Sequence, residues 1–169
     1  MKKFTAYLIA VIAFSVSASA QGSISHVLDL LRGKDAVSCS YQYRMNGNMP
    51  MEGDGVAVIC GHKYYAKGNG MENYCDGESV WTVDRSAKEV YIENAGGDIA
   101  SNIEKFLGGI RDFKYDGSSL SCRIVKKEQG LDLEFKAQGI KTVPASEDGT
   151  VYSFDVSALD SSWVISDLR

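Results

Sequence analysis

From Val37 to Glu93 the chain runs in short segments of alternating or β-prone residues, each closed by glycine or small polar residues. That pattern suits an antiparallel sheet built from tight turns and little else. Val37, Cys39, Tyr41, Tyr43 and Met45 alternate with Ser38, Ser40, Gln42 and Arg44, the period of two that divides a strand's side chains between two faces. A Gly, Asn and Pro cluster from Asn46 to Gly55 then turns the chain. Strands are expected at Val56–Cys60, Lys63–Lys67, Met71–Cys75, Ser79–Asp84 and Glu89–Glu93. The breaks between them are Gly61-His62, Gly68-Asn69-Gly70, Asp76-Gly77-Glu78 and Arg85-Ser86-Ala87.

Two segments change period. Ile24, Val27, Leu28 and Leu31 follow the i, i+3, i+4, i+7 rule, which predicts an amphipathic helix ending at Gly33. Asp98 is positioned as the N-cap of a second helix running to Leu107, with Gly108-Gly109 ending it. A further strand group is expected at Phe113–Tyr115, Leu120–Lys127, Leu131–Ala137, Ile140–Val143, Val151–Val156 and Trp163–Ile165. The reading is one mainly β domain of ten or eleven strands and two helices.

The chain has 169 residues, and the first twenty read as a secretory leader. Lys2 and Lys3 precede an apolar run from Phe4 to Val16, and Ser17-Ala18-Ser19-Ala20 supplies small residues for cleavage. The expected mature domain is 21–169, exported and soluble. Gln21 and Gly22 follow the cut, so the cysteine of an acyl-anchored lipoprotein is absent there. The mature segment carries 16 basic and 22 acidic residues. An acidic chain without a basic stripe argues against nucleic acid as a partner.

Cys39, Cys60, Cys75 and Cys122 are an even set in an exported chain, which reads as two disulfides with three connectivities open. Their gaps of 21, 15 and 47 residues do not suit a zinc site, so no metal or cofactor is expected. The chain contains neither G-x-S-x-G nor a phosphate-binding loop. Glu52 and Asp54 read as a solvated turn and His62 as a turn residue, so no catalytic residue is nominated and no enzyme is expected.

At the meander the sequence resembles the LolA family, periplasmic carriers of outer-membrane lipoproteins, in the form found in Bacteroidota. Gly53-Asp54-Gly55-Val56-Ala57-Val58-Ile59-Cys60-Gly61-His62-Lys63-Tyr64-Tyr65 is similar to a family stretch G-x-h-x-h-x-G-x-K-[FY], where h is apolar. Asp76-Gly77-Glu78-Ser79-Val80-Trp81 is similar to its D-G-x-x-x-W turn, with Glu89-Val90 following, and Ile165-Ser166-Asp167-Leu168-Arg169 to its ending. The resemblance implies an incomplete, highly curved antiparallel barrel whose helices lid a hydrophobic cavity. The implied function is a monomeric, non-enzymatic periplasmic carrier that shields lipoprotein acyl chains between an inner-membrane donor and an outer-membrane acceptor. A lipid or lipoprotein sensor of the same fold, or a structural or interaction β domain, is the alternative.

On that reading Tyr41, Tyr43, Val56, Val58, Tyr64, Trp81, Val90, Ile92, Leu133 and Phe135 line the cavity. Ile103, Phe106 and Leu107 face them from the lid. The position matching the latch arginine of proteobacterial members is Gly61. Hairpin register suggests the disulfides. A turn centred between Met49 and Pro50 pairs residues whose numbers sum to 99, setting Tyr43 against Val56, Tyr41 against Val58 and Cys39 against Cys60. Cys75–Cys122 then follows by elimination.

Overall fold

The protein is described by a computed structural model covering residues 21–46, 50–97, 99–104, 107–145 and 150–169. The proposed leader (1–20), Asp98 and Phe106 lie outside the described residues, and the side chains of Ile103 and Leu107 are not described either.

The strands within the described residues are β1 (Ala36–Asn46), β2 (Met51–Cys60), β3 (Lys63–Gly68), β4 (Met71–Cys75), β5 (Ser79–Asp84), β6 (Glu89–Asn94), β7 (Ile110–Tyr115), β8 (Leu120–Lys126), β9 (Leu131–Val143) and β10 (Val164–Asp167). They form one sheet in the order β10-β6-β5-β4-β3-β2-β1-β9-β8-β7. Its end strands do not pair, so the sheet is open. Every pairing is antiparallel except β10 with β6, which is parallel. Helix α1 (Gln21–Arg32) precedes the sheet and α2 (Ile99–Glu104) follows β6.

Helix α1 forms where its periodicity predicts. Ile24, Val27, Leu28 and Leu31 are all buried, and the Gly33 amide closes the helix by donating to the Leu30 carbonyl at 3.2 Å. Burying four such side chains contributes about 1.5–3 kcal/mol each, which holds a helix too short to persist alone in water. The helix touches β1, β2 and β7, although β9 and β8 lie between β1 and β7 in the sheet. That contact fits a sheet that curls around it.

The meander follows its turn residues. Asn69 and Gly70 take φ of 53° and 76°, the paired left-handed conformation that makes Asn-Gly a two-residue hairpin turn. Three expectations change. Residues 131–143 form one strand, with the register against β1 shifting between Ser38 and Ser40 and Gly139 at φ 62°, a bulge rather than a break. The segment expected as a strand at Val151–Val156 instead makes short 3₁₀ turns at Thr150–Tyr152 and Val156–Ala158. The first hairpin is also centred elsewhere.

That centre decides which side chains meet. Val37 pairs with Ile59, Tyr41 with Gly55 and Met45 with Met51; paired numbers sum to 96 rather than 99. Met51–Gly55 therefore extends β2 instead of belonging to the turn. A change from an odd to an even sum inverts every β2 side chain relative to β1.

Candidate ligand-binding face

The face toward α1, called inner here, carries the main apolar cluster. Tyr41 and Tyr43 of β1, Ala57 and Ile59 of β2, Tyr64 and Ala66 of β3, and Leu133 and Phe135 of β9 all belong to it. Of the ten strand residues expected around a cavity, Tyr41, Tyr43, Tyr64, Leu133 and Phe135 are thus brought together, and all are buried. Val56, Val58, Trp81, Val90 and Ile92 are not with them. Successive pairings link Ser38, Val58, Tyr65, Tyr74, Trp81 and Ile92 across β1 to β6, and this row belongs to the outer face. Val56 faces outward beside Ser40 and Lys67 and is 50% exposed. Val90 lies two residues from Ile92 and shares its face. The physical reason for the β2 error is the inverted hairpin parity. For Trp81, Val90 and Ile92 it is that β4 to β6 bury apolar residues on the outer face as well.

Tyr41 lies across β2 rather than above a void. An added Cβ at Gly55 would stand 2.7 Å from the Tyr41 hydroxyl, and one at Gly68, the cross-strand partner of Gly55, would stand 2.8 Å from it. The ring therefore occupies the space that side chains at those glycines would fill, the covering of bare backbone by an aromatic neighbour. Tyr41 also stacks on Phe135, with ring centroids 6.3 Å apart and planes 19° apart. Asn69 Nδ2 donates to the Tyr43 hydroxyl at 2.8 Å, tying β1 to the β3–β4 turn. Burial pushes the Tyr41 phenol up to about 12, with charges at Tyr43, Cys39 and Asp54 adding to it. It pushes Tyr64 up too, helped by neighbouring Cys75 and Glu93. Both stay neutral donors at ordinary pH.

The outer face has two characters. Along β1, β2 and β9 it is polar: depressions of about 90 and 320 Å³ are lined by residues such as Gln42, Arg44, Asp54, Glu134 and Lys136. Along β4 to β6 it is apolar and strapped by the C-terminal segment, whose Phe154, Val156, Leu159 and Trp163 pack with Tyr74, Trp81, Val83, Val90 and Ile92. Glu72, buried beside this strap, is the best-connected carboxylate among the described residues. It accepts from Arg85 Nε at 2.9 Å and Nη2 at 2.7 Å and from the Tyr74 hydroxyl at 2.9 Å, and pairs with Lys67 at 3.1 Å. The Arg85 hydrogen bond leads in lowering its carboxyl to about 2. The same guanidinium sits 5.8 Å from the Phe154 ring centroid, and Phe154 contacts Tyr74 at 5.3 Å. Nothing in the local sequence around Glu72 marks this network, because its members come from three strand ends and the far C-terminus.

The disulfide expectation is corrected: no disulfide joins any of the four cysteines. Cys39 faces Ala57 on the inner face, while Cys60, adjacent to Ile59 and one residue out of phase, turns outward. Cys60 Sγ donates to the Lys34 carbonyl at 3.7 Å, and Cys75 Sγ to the His62 carbonyl at 3.4 Å. Cys75 on β4 and Cys122 on β8 have β3, β2, β1 and β9 between them. Among the described residues no group of three metal-ligating side chains forms, and no described helix is long and apolar enough to cross a membrane. Gly61 occupies a left-handed turn at φ 58°, a conformation in which arginine would be strained. The helices are instead joined by an ion pair from Arg32 of α1 to Glu104 of α2.

No family model matches the sequence, and no curated protein matches it. Among solved structures, the chain is similar to an uncharacterized conserved protein from Thermus thermophilus, at 8% identity and a TM-score of 0.49, over 88% of this chain and 99% of that one.

Proposed function

We propose that the protein is a non-enzymatic periplasmic carrier that holds the acyl chains of lipoproteins against the inner face of its sheet and delivers them toward the outer membrane. In this reading the sheet is an incomplete barrel, α1 and α2 are its lid, and inner- and outer-membrane proteins are donor and acceptor. The observation that carries it is the largely apolar inner face under two short helices. α1 contributes four apolar side chains, worth roughly 6–12 kcal/mol when covered. The Arg32–Glu104 pair is nearly half exposed on both sides and adds under about 1 kcal/mol. An acyl chain of about fourteen methylenes returns roughly 0.8 kcal/mol for each one it buries, or ~11 kcal/mol. The two covers are comparable, so exchanging helix for cargo leaves states a few kcal/mol apart, as a carrier that loads and releases requires.

A second reading has one specific observation in its favour. Tyr41 filling the space over Gly55 and Gly68 is what a closed core looks like, and a structural or interaction domain would need nothing more. Titration with a neutral solvatochromic probe separates the two, followed by mass spectrometry of lipid co-purified from a periplasmic extract. Saturable probe binding with co-purified acyl lipid supports the carrier; absence of both leaves the closed core.

A further inference from the structure

The inner face is not uniformly apolar, and its polar members are unusually incomplete. Tyr64 is 7% exposed and Asn73 5%. Tyr64 pairs across β3 and β4 with Cys75, and Asn73 with Ala66. The two are therefore diagonal neighbours on one face, about 7–8 Å apart at the backbone and within reach of a common group. Thr82, opposite Asn73 on β5, donates its hydroxyl to Asn73 Oδ1 at 3.0 Å. That bond fixes the amide so that only its NH₂ remains to be satisfied. Among the described residues, neither that NH₂ nor the Tyr64 hydroxyl has a hydrogen-bond partner. Buried donors left unmatched are costly, and native folds carry few of them.

The charge on this part of the face selects the acceptor. The inner-face residues of β3 to β6 include Asp84, Glu89 and Glu93 and no lysine or arginine. Glu93 is close enough to bias the Tyr64 phenol against ionising. An anionic head would meet a negative field with no counter-charge, whereas a neutral carbonyl accepts from both donors without that opposition.

We propose that Tyr64 and Asn73 form a polar anchor for the neutral carbonyl of an acyl ester or amide, and that the site discriminates against free fatty carboxylates. This rests on the acyl-carrier reading above and specifies its ligand: the chain lies on the apolar face and its linkage oxygen is held at β3–β4.

The test uses the mature chain, a neutral naphthylamine probe, methyl laurate and laurate. Methyl laurate is expected to displace the probe at severalfold lower concentration than laurate. Tyr64→Phe, which keeps the ring, is expected to weaken methyl laurate about fivefold, the worth of one neutral hydrogen bond, while the probe's own affinity is unchanged. Independently of any variant, the infrared carbonyl stretch of bound ¹³C-carbonyl methyl laurate should fall to lower wavenumber than in hydrocarbon solvent. If the wild-type chain binds neither probe nor ester, the carrier reading and the anchor fall together. If the probe binds but laurate competes as well as the ester, Tyr64→Phe changes nothing, or the carbonyl stretch does not move, the anchor is wrong and the carrier reading survives.

Discussion

Replacing Glu72 with glutamine should remove a measurable part of the acid sensitivity of this fold. The carboxyl is lowered from 4.5 to about 2 in the folded chain, so the unfolded chain holds its proton more tightly. A depressed carboxyl contributes stability that is fully present above its unfolded value and is lost as pH falls toward its folded one. The window is therefore about 4.5 down to 2. Taken whole, the difference corresponds to about 3 kcal/mol. The partner side chains are more than half exposed, Arg85 at 53% and Lys67 at 59%, and water screens them, so about 1–2 kcal/mol is the expected net. Urea unfolding of wild type and Glu72→Gln across that window measures it. At neutral pH the variant should be less stable by that amount, and the gap should close toward pH 2 as the wild-type carboxyl protonates. Other depressed carboxyls, Asp84 and Asp167 among them, are common to both chains and cancel in the difference. Parallel stability curves from neutral to acid would show that the network contributes no net charge stabilisation.

Gly55→Ala sets a Cβ 2.2 Å from the Lys67 carbonyl and 2.7 Å from the Tyr41 hydroxyl, and should cost about 1–3 kcal/mol or more in chemical unfolding; Gly96→Ala, which meets nothing within 4 Å, should change stability by under ~0.5 kcal/mol, and equal effects would refute the packing described. Leu28→Ala should cost about 2–5 kcal/mol and, if α1 is a lid, tighten binding of the neutral probe, because the open state no longer has to displace as much apolar cover; lower stability without any gain in probe affinity would make α1 plain core. Iodoacetamide should label Cys60, the least buried cysteine, before the others, since burial also pushes the Cys39 thiol up to about 11 and raises Cys75; peptide mapping that finds Cys39 labelled first, or any disulfide, would overturn this arrangement.

The parts of this fold legible in the sequence are those governed by local rules. Alternation located β1, Asn69-Gly70 located a hairpin, and the spacing of Ile24, Val27, Leu28 and Leu31 located both α1 and its buried side. What was not legible is parity between strands. The segment between the first two strands contains Asn46, Gly47, Asn48 and Pro50, several residues able to turn, and the change of pairing sum from 99 to 96 exchanges Val56 and Val58 for Gly55 and Ala57 on the inner face. On hydrophobicity alone the valines suit that face better. The fold instead sets Gly55 there because Tyr41 already supplies the bulk. The Cys39–Cys60 pairing depended on the same parity and failed with it.

The second illegible feature, the strap, bears most directly on which side of the sheet can move. An apolar row at Trp81, Val90 and Ile92 looks the same in sequence whether a cavity or the chain's own terminus covers it. Here the cover is Phe154 to Trp163, and it is held by more than apolar contact. Beyond it β10 pairs with β6, the Val164 amide donates to the Lys88 carbonyl and the Leu168 amide to the Ile92 carbonyl, each at 2.9 Å, and Arg169 reaches Ser79 Oγ at 3.0 Å. Releasing the strap would break backbone pairing as well as expose apolar surface. Among the described residues no backbone hydrogen bond joins α1 to the sheet, so lifting it breaks the half-exposed Arg32–Glu104 pair and exposes mainly apolar surface that an alkyl chain can cover again. If either apolar face of this sheet exchanges its cover for a ligand, the physical cost is lower on the inner one.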